Sequence, residues 1–95
     1  MANRRVIWSA ESLRSAKQIH VYISLGFSKR EVQNFETLLV EFELLVVQFP
    51  GMYPRSERHL DLRRAVLSRM LTLFYKVDGD EITVVFMKDN RQALP

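Results

Sequence analysis

The chain has no cysteine. Disulfide frameworks, thiolate nucleophiles and cysteine zinc sites are therefore excluded. Histidine occurs only twice, as His20 and His59, and no carboxylate cluster accompanies either, so no metal site is expected. No apolar run approaches the ~18–20 residues needed to cross a membrane. The start, MANRRVIW, is basic but lacks the apolar stretch of a signal peptide, and a cytoplasmic protein without membrane contact is the expectation. Internal repeats and low-complexity segments are also missing. No sequence motif calls for a cofactor, and none is expected.

What is present is ordinary for a globular domain. Of 95 residues, 47% are apolar and 26% charged, enough for one core and too short for two, so residues 1–95 read as a single domain. The net charge of +3 is unevenly spread. Residues 31–49 hold Glu31, Glu36, Glu41 and Glu43 and no Lys or Arg. Residues 52–76 hold Arg55, Arg58, Arg63, Arg64, Arg69 and Lys76 against Glu57 and Asp61. A basic segment of this kind is either a solvated face or a surface for an anionic partner such as nucleic acid.

Periodicity orders the elements. Arg5-Val6-Ile7-Trp8 reads as a short strand. Ser9 can cap a helix whose apolar face is Leu13, Ala16, Ile19, His20 and Ile23, ending at Gly26 in a left-handed cap. Ser28 and Glu31 form a capping box for a second helix with Val32, Phe35, Leu39, Phe42, Val46 and Phe49 on its main stripe. Leu38 and Leu45 widen that stripe, and Pro50-Gly51 stops the helix. Leu60 and Leu62 flank Asp61 as in a strand, and Met70 to Val77 is a stronger strand. Asp78-Gly79 marks a hairpin turn, and Ile82 to Met87, apolar on both faces, predicts a central strand. The result is an α+β class, β-α-α-β-β-β, with an antiparallel helical hairpin on a small, mainly antiparallel sheet.

Single residues that invite functional readings have structural ones too. Trp8 suits a packing anchor, His20 a packed, hydrogen-bonded histidine, and Tyr75 a structural tyrosine. The acidic Asp78-Gly79-Asp80-Glu81 is too short for a calcium loop. The ending FMKDNRQALP packs Lys88, Asp89, Asn90 and Arg91 directly after a strand, as a solvated tail, a tether or the rim of a working surface.

The ordered set of VIWS before the first helix, Pro50-Gly51 after the second, LDLRRAV, LFYKV and DNRQ resembles the RelE/ParE superfamily. These are toxins of bacterial type II toxin–antitoxin systems, and the resemblance runs from Val6 to Gln92. It implies a bacterial source, a growth-inhibiting protein and a cognate antitoxin. Two lines of action are implied. RelE-like members cut mRNA on the ribosome without a metal, using basic side chains on the sheet and a general base. ParE-like members poison DNA gyrase and carry no comparable set. This chain departs from the first pattern, with His59 and Asp61 where lysines would stand, Thr72 where an arginine would stand, and no Tyr or His after DNRQ. Together with the long hairpin, this favours the ParE-like line, a toxin that acts by binding and is not an enzyme. The alternative is a metal-independent endoribonuclease with a degenerate catalytic set. The expected site is one cationic rim of Arg63, Arg64, Lys88 and Arg91, which would meet the target or a phosphate. Asp89 would hold Arg91 in place, and His59 and Asp61 are the candidate acid–base groups.

Overall fold

The computed structural model describes residues 3–91. The elements run β1 (Arg5–Trp8), α1 (Ala10–Gly26), α2 (Lys29–Val46), β2 (Arg63–Val66), β3 (Leu71–Asp78) and β4 (Glu81–Asp89). They form one sheet in the order β1-β4-β3-β2, parallel between β1 and β4 and antiparallel elsewhere. β4 is therefore central among the described strands, as its two-sided apolar run requires. The helical hairpin covers one face, and the other face is open.

Both helices start where their serine caps stand. Ser9 Oγ accepts from the Ser12 backbone at 3.0 Å, and Ser28 Oγ accepts from the Glu31 backbone at 3.4 Å. The reciprocal half of the second box is absent, because the Glu31 carboxylate faces Arg91 instead. Gly26 is the last residue of α1 and lacks the positive φ of a left-handed cap; Gly79, in the β3–β4 turn, has it at 60°. Ser12, not Leu13, takes the inward position of the first turn of α1. Its hydroxyl donates to the Ser9 carbonyl, so a small polar residue sits satisfied where the helix leaves the sheet. Helix α2 stops at Val46, three residues short of the apolar stripe's end, and Phe49 is left 58% exposed.

The core gathers Ile19 and Ile23 of α1, Phe35, Phe42 and Val46 of α2, and Ala65, Leu71, Leu73, Tyr75, Ile82, Val84 and Met87 of the sheet. Phe42 meets Tyr75 edge-on at 5.4 Å, and Tyr53 lies 6.0 Å from Phe42. The Tyr75 hydroxyl donates to the Pro50 carbonyl at 2.7 Å, which ties the chain after α2 to the sheet. Trp8 stands at the helix–sheet boundary and donates from Nε1 to Glu43. His20 is partly exposed, with Nε2 at 3.5 Å from Glu36 across the hairpin.

One irregularity governs the faces of β4. Phe74 pairs with Phe86 but Tyr75 pairs with Val84, so Val85 is an extra residue in β4. Inward positions change parity there, from Ile82 and Val84 to Met87 and Asp89. Phe86 and Lys88 consequently point to the open face. No helix of the described residues is long and apolar enough to cross a membrane.

Candidate functional site on the open face

The chain from Tyr53 to Leu62 is a compact arm against the edge of β2. The Ser56 backbone donates to Leu62 and that of Arg64 to Pro54, both at 2.8 Å, and Arg55 bridges Arg63. Ser56 is buried, and its hydroxyl accepts from the His59 backbone at 3.1 Å. Leu60 and Asp61 lie in the turn of this arm, not in a strand. A backbone bond from Leu62 to His59 closes it, so the Leu60–Asp61–Leu62 alternation comes from a turn with one buried leucine.

The arm delivers side chains over the sheet. His59 packs edge-on against Phe74 at 5.7 Å and Phe86 at 5.4 Å, and those two rings stack at 4.5 Å. Around this stack lies a hollow of about 520 Å³, lined among others by Arg55, Arg58, His59, Arg64, Phe74 and Lys88. Glu57 is its one acidic lining residue. Among the described residues, Arg55, Arg58, Arg64 and Lys88 make no ion pair. Lys88 stands directly opposite Thr72, so a cation occupies the strand position across from the threonine.

The expected rim of four cations divides instead into three places. Arg64 and Lys88 reach the open-face hollow. Arg63 pairs with Tyr75 on the helix side and donates to the Tyr53 carbonyl at 2.7 Å. Arg91 lies at the other end of the sheet, by α2. The cause is register: antiparallel pairing sets Val66, not Arg63, against Thr72 and hence near Lys88. The chain end therefore emerges beside the β2–β3 turn, where Asn90 bonds Met70 and Arg69.

At that end, Asp89 is buried and holds Arg91 as expected. Its carboxylate accepts from Arg91 Nε at 2.9 Å and Nη2 at 2.7 Å. Arg91 Nη1 also meets Glu31 at 3.1 Å, the guanidinium lies 5.4 Å over the Phe27 ring, and the Arg91 carbonyl accepts from Tyr22. Hydrogen bonding to Asp89 pushes the guanidinium pKa up, against the opposing effect of burial. This is a clasp joining strand end, hairpin tip and α2. Gln92 and the residues after it lie outside the described residues.

The chemistry available is narrow. His59 lines the hollow, exposed and in edge contact with two phenylalanines, while Asp61 does not line it, so the two candidate acid–base groups do not meet in the hollow. Tyr75 and Tyr53 have pKa values raised by burial, and Tyr75 is wholly enclosed. Neither supplies a base to the open face. No group of three or more His, Asp or Glu among the described residues could hold a metal ion. Arg55, Arg58 and Phe74, which line the hollow, and Phe86, stacked on Phe74, were not among the candidates named from sequence. The signal was RSERH in the basic segment, but its meeting with β3 and β4 depends on the arm.

No family model and no curated protein matches the sequence. Solved structures do. A chain of the chromosomal ParDE toxin–antitoxin system from P. aeruginosa aligns with a TM-score of 0.77 at 14% identity, covering 94% of this chain and 98% of its own. The conserved hypothetical protein HP0894 from Helicobacter pylori aligns at 0.61 and 14% identity, covering 96% and 99%. YafQ from E. coli strain BL21(DE3) aligns at 0.53 and 15%, covering 98% and 100%. The chain shares the fold of these structures, and the alignments span nearly the full length of both partners.

Proposed function

We propose that this chain is the toxin of a type II toxin–antitoxin pair and that it arrests growth by binding DNA gyrase, as ParE-like toxins do. The observation that carries the reading is the alignment with the ParDE chain, at 0.77 over nearly both full lengths, against 0.53 for YafQ. The open face supports it from the chemical side: it offers cations but no acid–base pair converging on a phosphate. Arg64 and Lys88 are the target-facing residues in this reading, with Arg55 and Arg58 beside them. Arg63 and Arg91 hold the fold, and Asp89 supports Arg91.

The partner is a cognate antitoxin, in keeping with neighbours that include the ParDE system and the DinJ–YafQ complex. Leu45, Phe49 and Met52 are exposed after and along α2. A groove of about 570 Å³, with Phe35, Leu38 and Met70 among its lining residues, opens between α2 and the β2–β3 turn. Such apolar surface suits a segment that folds on binding. Pull-down with the product of the adjacent small gene checks this; no complex with it counts against the pairing.

A second reading, a RelE-like ribonuclease, is favoured by one observation, the gathering of basic side chains and His59 on the open sheet face. The deciding pair of experiments is primer extension on mRNA and a gyrase supercoiling assay, both after induction. Inhibited supercoiling with intact mRNA supports the binding toxin. Discrete cuts at ribosomal A-site codons with normal supercoiling replace it with the ribonuclease.

A further inference from the structure

We propose that the open-face hollow docks the backbone phosphates of duplex DNA, so that the toxin holds its target's DNA as well as the enzyme. This deepens the gyrase reading and rests on it. Three features of the hollow carry the inference.

The first is unspent charge. Arg5 pairs with Glu81, Arg91 with Asp89 and Glu31, and Arg4 and Arg63 donate to carbonyls at 3.0 and 2.7 Å. Arg55 makes one long bond to the Leu60 carbonyl at 3.4 Å, and no side-chain hydrogen bond joins Arg58, Arg64 or Lys88 to another described residue. Four permanent cations thus converge on one hollow without a carboxylate partner among the described residues, and an anion satisfies them.

The second feature is rigidity. Arg55 and Arg58 sit on an arm closed by the Ser56–Leu62, His59–Ser56 and Arg64–Pro54 bonds, while Arg64 and Lys88 stand on strands. The backbone that carries these cations is therefore set before a ligand arrives, and only the side chains remain to be ordered.

The third feature separates duplex from single strand. Recognition of unpaired bases uses open aromatic faces on which bases stack. Among the described residues lining the hollow, Phe74 is 6% exposed and stacked on Phe86, and the one exposed aromatic is the single imidazole of His59, too little for a run of stacked bases. What remains accessible is charge, which reads backbone phosphate without reading sequence.

The test is anisotropy of a short labelled DNA duplex of arbitrary sequence, titrated with the full chain over a range of salt. If Arg55, Arg58, Arg64 and Lys88 each neutralise one phosphate, log affinity falls against log salt with a slope of about −3 to −4. Arg64→Gln and Lys88→Gln should each weaken binding several-fold and lower that slope by about one, with unchanged melting temperature. Lys17→Gln, on the exposed side of α1, should leave both unchanged. Absence of duplex binding overturns the inference, as does a slope that neither open-face substitution alters. Tighter binding of a single-stranded RNA of equal length overturns it too and gives the hollow to the ribonuclease reading. Gyrase inhibition measured on the same proteins keeps the two claims apart. Inhibition without any duplex binding removes the DNA contact and leaves the gyrase reading; duplex binding with untouched gyrase does the reverse.

Discussion

Two faces of the same sheet treat arginine in opposite ways. At the clasp, Arg91 has a bidentate carboxylate, a second carboxylate and an aromatic ring, and its side chain is 11% exposed. In the open-face hollow, Arg55, Arg58 and Arg64 are exposed and pair with no carboxylate among the described residues. The clasp uses its charge to fix the chain; in the proposed reading the hollow keeps its charge for the target. Identity of residue type therefore says little. The partners within the fold distinguish the structural arginine from the candidates for function.

Both faces rest on the same core, so its loss has the largest effect. Phe42→Ala removes a ring packed on Tyr75 and Tyr53 and should cost ~3–5 kcal/mol, out of a total near ~5–15 kcal/mol for such a domain. A melting temperature unchanged within error would mean that Phe42 does not join hairpin to sheet.

Next comes the clasp itself. Asp89→Ala leaves the largely buried Arg91 with Glu31 as its remaining carboxylate, and we expect a loss of ~2–3 kcal/mol, below the ~3–5 kcal/mol of a fully buried pair because Glu31, itself partly exposed, still offsets the charge. Arg91→Ala should also destabilise, by a similar or smaller amount, and growth arrest should fall only as far as the folded fraction does. A stable Arg91→Ala protein that had lost toxicity would move Arg91 from the clasp to the working surface.

The hollow should behave inversely. Arg64→Gln and Lys88→Gln alter exposed, unpaired groups, so stability should stay within about 0.5 kcal/mol while growth inhibition drops. Chemical denaturation and a plating assay on the same variants measure the two quantities. Loss of stability larger than loss of toxicity would collapse the distinction between the two faces.

The smallest effect is one of pH. Burial raises the Tyr75 pKa above its ordinary value near 10, so folding favours the protonated phenol. Its contribution is complete below about pH 10 and is lost as pH rises from there through the higher folded value. Tyr75→Phe should remove that alkaline loss and cost about 1 kcal/mol through the missing bond to Pro50. Melting temperatures from neutral pH to pH 11 measure both.

The sequence made the fold legible because its local signals agreed. Ser9 and Ser28 capped helices, Asp78-Gly79 turned the hairpin, and the two-sided run Ile82–Met87 became the central strand. Boundaries failed where a tertiary contact outweighed periodicity, as at Phe49, Leu13 and the Leu60–Leu62 turn. The candidate site was half legible. The Asp89–Arg91 bond was readable from the ending, and Arg64 and Lys88 were named as candidates from LDLRRAV and the ending. Their division between two places was not, since it depends on which residue of β2 meets which of β3. Nor was the bulge at Val85, without which Lys88 would face the helices. The arm that brings Arg55, Arg58 and His59 over Phe74 is held by backbone bonds that no spacing in the sequence announces.

The account turns on action by binding, and a gyrase supercoiling reaction with purified chain, stopped in denaturant to trap cleaved DNA, tests it most directly. The account predicts dose-dependent loss of supercoiling with accumulation of cleaved DNA, weakened in Arg64→Gln and Lys88→Gln and restored by antitoxin. Full supercoiling at every dose of a folded, growth-inhibiting protein would contradict it.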